Sequence, residues 1–263
     1  MDRIRHSDLF LLAAAVLGGI ALLLVVLGWA NGGTPRVETA QAAEAGQAPF
    51  APTRAPVRPE RPAPDPGTTI LTVRPGASVP LRDAPGGDVV ESLGDTTEFG
   101  SPTVLTVAER RGAWAGVPTQ LLPNGELGWV KVDDGVLATD SVGQAIVIDL
   151  SEMRAELSRK GVVERRWTVG IGGPGTPTPT GHFSITDEIE GGLNPVYGCC
   201  AIALSATQPN LPPGWSGGNR IAIHGTSEPL GAANSTGCIH SSDADLQALI
   251  EQVPLGTPVT IRR

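Results

Sequence analysis

Hydrophobic and polar positions fall into four regimes along the chain. Leu9 to Ala30 is an uncharged, mostly apolar run of 22 residues. Wound as a helix it would extend about 33 Å, enough for a bilayer core. Asn31 to Gly67 shows no hydrophobic period, and from Pro49 to Pro66 proline recurs at nearly every third or fourth position. Such a segment buries no core and favours an extended, partly polyproline II form, reaching up to roughly 56 Å. From Thr68 to Ala138 short β-forming runs follow one another: Thr69 to Val73, Val89 to Leu93, Thr103 to Val107, Ala113 to Val117 and Gly128 to Val132. Pro85-Gly-Gly-Asp and Pro123-Asn-Gly-Glu supply turns, so five or six strands are expected.

After a short junction at Asp140 to Gly143, Ala145-Ile-Val-Ile-Asp-Leu reads as a strongly apolar strand. Ser151 to Lys160 fits a helical turn as well, but Arg159-Lys-Gly before Val162-Val and Trp167-Thr-Val favours a hairpin. Ser242-Asp-Ala-Asp opens the one helix expected outside the apolar run. Ser242 suits the cap, Asp243 and Asp245 suit its positive end, and Leu246, Leu249, Ile250 and Val253 form one apolar stripe. Pro254-Leu-Gly ends it and Val259-Thr-Ile returns as a last strand.

Composition narrows the classes. Glycine (34) and proline (24) are abundant and aromatics make up 4%, which suits short strands and turns over long helices. A formal net charge of −8 gives no electrostatic support to a nucleic-acid role. Three cysteines are too few for a secreted disulfide framework, and an odd count leaves one thiol unpaired within the chain. Arg3 and Arg5 precede the apolar run and the next basic residue is Arg36, so residues 1–30 are expected to be a cytoplasmic tip and single transmembrane anchor. The alternative is a signal peptide cleaved among the small residues of Ala40 to Ala45. That run is longer than an ordinary signal core and the site lies far from its end.

The candidate chemistry lies in Ile221-Ala-Ile-His-Gly-Thr and Asn234-Ser-Thr-Gly-Cys-Ile-His. His224 stands fourteen residues ahead of Cys238, with Gly237 directly before the thiol. A thiol becomes a strong nucleophile when a base takes its proton, and the N–H groups of Gly237 and Cys238 could hold an oxyanion. From these two residues alone, a packed cysteine and a satisfied core histidine are the commoner arrangement. Cys199 and Cys200 read as a vicinal disulfide or as apolar packing, with no catalytic role, and His182 reads as structural. No metal-ligand spacing occurs, and no cofactor is implied.

Thr178-Pro-Thr-Gly-His-Phe, Ile223-His-Gly-Thr and Ser235-Thr-Gly-Cys-Ile together, in this order, resemble the L,D-transpeptidase (YkuD-type) catalytic domain. The resemblance runs from Gln144 to the C-terminus and includes Tyr197-Gly and Pro254-Leu-Gly-Thr-Pro-Val. It departs from the family at Thr236, where His or another polar residue is usual, and at His240, where Arg or Asn is common. Leu81-Arg-Asp-Ala-Pro and Gly128-Trp-Val look like a bacterial Src-homology-3-like barrel. Such a module would bind cell-wall peptides or serve as a spacer, with Trp114 and Trp129 as core residues.

The resemblance implies a mainly β protein. Residues 1–30 would be the anchor, 31–67 an extended linker, 68–140 a small Src-homology-3-like barrel, and 143–263 a YkuD-type β-sandwich with one helix on its C-terminal side. It implies Cys238 as nucleophile and His224 as base, with Gly237, Thr236, Ser235, Gly225, His240 and Tyr197 positioning the oxyanion or substrate. The expected partners are donor and acceptor peptidoglycan stem peptides, carbapenem-type β-lactams as acylating agents, and a bilayer through Leu9 to Ala30. The expected location is the cell membrane, with the catalytic domain extracytoplasmic. An L,D-carboxypeptidase using water, or a non-catalytic wall-binding protein, stays open. An NlpC-type peptidase would place its Cys before its His, the reverse of the order found.

Overall fold

Short runs of β-branched residues broken by Gly, Pro and Asp do not propagate helices, and the chain resolves them into strands. The computed structural model describes residues 67–133 and 135–263. The expected membrane span Leu9 to Ala30 and the proline-rich segment to Pro66 lie outside the described residues. Among the described residues, no helix is long and apolar enough to cross a membrane.

The first half holds β1 (Thr68–Val73), β2 (Ser78–Arg82), β3 (Val89–Gly94), β4 (Val104–Thr106), β5 (Glu109–Arg111), β6 (Trp114–Pro118), β7 (Leu127–Lys131) and β8 (Leu137–Val142). They form sheets of order β4-β1-β8 and β3-β2-β7-β6-β5. Both sheets feed one core of Leu71, Val73, Val79, Leu81, Ala115, Val117, Val130 and Leu137. Three strands exceed the sequence expectation. β2 alternates Val79 and Leu81 inward with Ser78 and Pro80 outward, but Pro80 disguises it. β5 is three residues of charge, and β8 runs through the segment read as a junction, so only Gly143 separates it from the next strand. Trp129 is buried, with the Arg111 guanidinium 4.5 Å from its ring centroid.

The second half holds β9 (Gln144–Asp149), β10 (Arg154–Arg159), β11 (Val162–Thr168), β12 (Ile171–Gly172), β13 (Gly181–Ile189), β14 (Ala201–Thr207), β15 (Arg220–Gly225), β16 (Ala233–Ser235), β17 (Ile239–Ser241), α1 (Asp243–Ile250) and β18 (Pro258–Arg262). Lys160 and Gly161 both take positive φ, 49° and 75°, the two-residue turn that closes the β10–β11 hairpin. Eight strands join in the order β11-β10-β9-β18-β13-β14-β15-β17, while β12 and β16 pair separately. Side chains from both ends of the eight-stranded sheet share one apolar cluster, among them Leu157, Ile146, Ile185, Ile202, Ile223 and Ile239. The sheet must therefore fold around that cluster, and the register slip between Ile185 and Asp187 of β13 gives a place to bend.

α1 closes the cluster with Leu246 and Leu249, and Val253 follows. Ser242 Oγ accepts the Asp245 N–H at 3.0 Å, the expected cap. The two halves meet through Asn124, whose amide donates to Thr207 O at 2.6 Å and accepts its N–H at 3.0 Å. Thr106 Oγ1 adds a bond to Gly256 O at 2.7 Å, and the described residues fall in one compact unit.

Candidate active site

In a strand, alternate residues face opposite ways. On β15, Ile221 and Ile223 enter the core, which turns Ala222 and His224 to the other face. β17 lies parallel beside β15, with Ile223 opposite Ile239 and His224 opposite His240. Ile239 enters the core, so Cys238 and His240 share the outer face with His224. One register step back, Cys238 stands beside Ala222. Strand spacing and rise put its Cα diagonally about 8 Å from that of His224, a gap the two side chains can span.

Three rings converge there. Tyr197, from the short 3₁₀ turn Pro195–Tyr197, meets His224 edge-on at 4.9 Å between centroids. His240 meets it at 4.8 Å. The His224 Nδ1 lies 2.8 Å from Gly225 O. A carbonyl oxygen only accepts, so Nδ1 carries the proton and Nε2 keeps a lone pair for a proton from elsewhere. Burial lowers the His224 pKa to about 4, against the Gly225 bond, which favours the charged form. The Cys238 Sγ rests 3.9 Å from Arg220 O, and among the described residues no hydrogen bond joins it to His224. Burial pushes this thiol up, opposed by a bond to the Ala222 backbone. The resting pair is thus neutral thiol and neutral imidazole.

The turn before the nucleophile is held from several sides. Ser235 Oγ donates to Cys238 O at 2.6 Å and accepts the Gly237 N–H at 3.1 Å. The Gly237 N–H, expected to face an oxyanion, is therefore engaged within the turn. Gly237 has φ +111°, and a Cβ there would overlap Gln208 Nε2. Thr178 is buried and donates to Gly237 O at 2.9 Å while accepting the Gly172 N–H at 2.8 Å. Gln208 donates to Pro177 O at 3.1 Å and Thr236 O at 3.3 Å. Thr178 and Gln208 were not singled out as site residues. The first opens the Thr178-to-Phe183 motif; the second carries no local signal at all.

Thr236 and His240 line the same cavity as Cys238 and His224. His240 is buried, its Nδ1 has no hydrogen-bond partner, and Glu228 Oε2 stands 3.8 Å away. Burial lowers its pKa against the pull of Glu228, so it does not supply at neutral pH the cation that an Arg would. Gly225 is packed so that a Cβ would overlap Asp243 Oδ1, the atom that accepts the Cys199 N–H at 3.1 Å. Cys199 and Cys200 are bonded to each other, and Cys238 is free. His182 bonds Thr260 Oγ1 across β13 and β18, a structural contact. Among the described residues, no group of three His, Cys, Asp or Glu is arranged to hold a metal ion. The cavity, about 420 Å³, opens over the thiol and imidazole, an arrangement suited to acyl transfer through a thioester.

Residues 143–261 match the YkuD family model, described as the L,D-transpeptidase catalytic domain. Over 120 residues, 45% of this chain, there is 31% identity to the YkuD protein of Bacillus subtilis (strain 168), of which 65% is covered. Over 129 residues, 48% of this chain, there is 27% identity to the YkuD protein of Bacillus licheniformis, of which 70% is covered. The chain thus spans just under two thirds of the first of these relatives. A solved L,D-transpeptidase from Mycobacterium smegmatis aligns over 74% of this chain and 99% of its own, at 15% identity and a TM-score of 0.43.

Proposed function

We propose that this protein is a cysteine-dependent L,D-transpeptidase that cross-links peptidoglycan stem peptides, held at the outer face of the cell membrane by Leu9 to Ala30. The observation that carries this reading is the parallel register of β15 and β17, with Cys238 and His224 on one face and in one cavity. The match of residues 143–261 to the L,D-transpeptidase domain supports it.

Donor binding would turn the Cys238 side chain from Arg220 O toward His224 Nε2. Because both groups rest neutral, proton transfer and attack are coupled. Nε2 takes the thiol proton as sulfur bonds the carbonyl of the third stem residue, and the Gly225 carbonyl, accepting from Nδ1–H, steadies the imidazolium. With the Gly237 N–H engaged, the Cys238 N–H is the donor assigned to the oxyanion. The C–N bond to the terminal D-Ala then breaks, and its nitrogen takes the proton from His224. An acceptor amine attacks the thioester, gives a proton to His224, and releases the sulfur as a thiol. Water in place of the amine would yield a shortened stem, the L,D-carboxypeptidase outcome.

Purified protein and disaccharide-tetrapeptides, followed by mass spectrometry, test the reading. A cross-linked dimer is expected, together with a carbapenem adduct of one drug mass on the peptide from Asn234 to Asp243. Cys238→Ala should remove both, and His224→Ala should slow acylation about a hundredfold or more with an unchanged thermal transition. A shortened monomer alone would make the enzyme a carboxypeptidase. Neither product, with no adduct, would leave a wall-binding role.

A further inference from the structure

We infer that the loop between β3 and β4 forms one wall of the catalytic cleft, with Phe99 as a specificity-determining contact for the uncharged part of the donor stem. The inference rests on the transpeptidase reading above. Three consecutive residues of this loop, in the first half of the fold, contact the second half. Thr97 Oγ1 donates to the carboxylate of Asp187 on β13, which is wholly buried. Glu98 pairs with the Arg220 guanidinium on β15. Phe99 lies beneath that same guanidinium, 5.7 Å from its ring centroid.

Arg220 links the loop to the nucleophile. Its side chain is 13% exposed, Nε donates to Leu204 O at 3.1 Å, and a terminal nitrogen lies 3.5 Å from Asp187 Oδ2. Its own carbonyl oxygen is the one facing the Cys238 sulfur. The loop is therefore anchored on the residue against which the thiol rests. A loop tied down by a buried carboxylate and a half-sandwiched guanidinium is held in one position, which a mere linker does not require.

What the loop presents is apolar. Phe99 is 47% exposed and lines the cavity together with Trp215, Leu211 and Val196. These are four of the nine large hydrophobic residues that stand exposed among the described residues, gathered around one opening. Gathered exposed apolar surface marks a binding site more than scattered surface does. The guanidinium is occupied by Glu98 and Asp187, so this wall offers a flat ring and no spare charge. Alanyl methyl groups and sugar-ring faces of a stem fit that surface, and a free carboxylate does not.

The test separates binding from turnover. In the Cys238→Ala background, titration calorimetry with a disaccharide-tetrapeptide should show Phe99→Ala binding about fivefold more weakly, and Phe99→Leu recovering most of the loss. In the active enzyme, Phe99→Ala should raise KM by a similar factor and leave kcat within about twofold. Val162→Ala, an exposed apolar residue outside the cavity, should change neither, and all variants should keep the thermal transition. Equal affinity and KM for Phe99 and Phe99→Ala would overturn the inference. Binding that depends on Phe99, without dimer or shortened monomer, would overturn the reaction and keep the wall. No binding of the stem by the Cys238→Ala protein would overturn both.

Discussion

At the scale of one residue, the informative fact about Cys238 is the conflict between its surroundings and its task. An acyl-transfer nucleophile must lose its proton, and burial here raises the thiol above its ordinary value. The base beside it is held neutral at pH 7, with its pKa lowered to about 4. A thiolate–imidazolium pair standing in advance would need the opposite shifts. The chemistry therefore has to be triggered by substrate, which turns the thiol to Nε2 and brings a carbonyl to bond at the same moment. Iodoacetamide should accordingly react slowly with Cys238 at pH 7, at a rate that climbs with pH to a midpoint above that of free cysteine, near 8.5. Carbapenem acylation, which supplies its own carbonyl, should remain fast at pH 7. A midpoint below 8.5 would show an ion pair preformed in solution.

At the scale of an element, the decisive piece is the turn Ser235 to Cys238, too short to hold itself. Thr178 reaches it from the loop before β13, Gln208 from the residue just past β14, and Ser235 closes it from within. Gly237 is the point where these ties meet. Its φ of +111° is costly for any residue with a Cβ, and the added atom would press on Gln208, itself buried and bonded to Pro177 and Thr236. Gly237→Ala should destabilise the fold by about 1–3 kcal/mol and displace Cys238 along the cleft, so acylation should fall by more than tenfold. Calorimetry and the rate of carbapenem adduct formation read the two effects. A variant with unchanged acylation would mean that the turn does not set the position of the thiol.

At the scale of the molecule, what was legible in the sequence was what is local. The Ser242 cap, the Lys160-Gly161 turn and the apolar runs of β9 and β15 each carry their signal within a few residues. The β15–β17 pairing that brings His240 against His224 leaves no period in the sequence. Nor does the docking of Glu98 and Phe99 on Arg220, across more than a hundred residues. His224 is buried, with Tyr197 and His240 packed against its ring, and that burial ties acid stability to the active site. In the unfolded chain its pKa is near 6.5, and in the fold about 4. Above pH 6.5 the ring is neutral in both states and adds no pH dependence. Below it the unfolded chain binds a proton that the fold does not, so stability falls as pH drops, until about pH 4, where the folded ring also charges. The whole loss from this one group is at most about 3 kcal/mol. His240, also lowered by burial, acts in the same sense, whereas Glu188, raised by burial, acts against it. Urea unfolding at pH 7.5, 6, 5 and 4 should show a steady decline for the native protein and a shallower one for His224→Gln. Matching slopes for the two proteins would mean that the imidazole charges in the fold as readily as in water, and that the base at Cys238 is not held neutral.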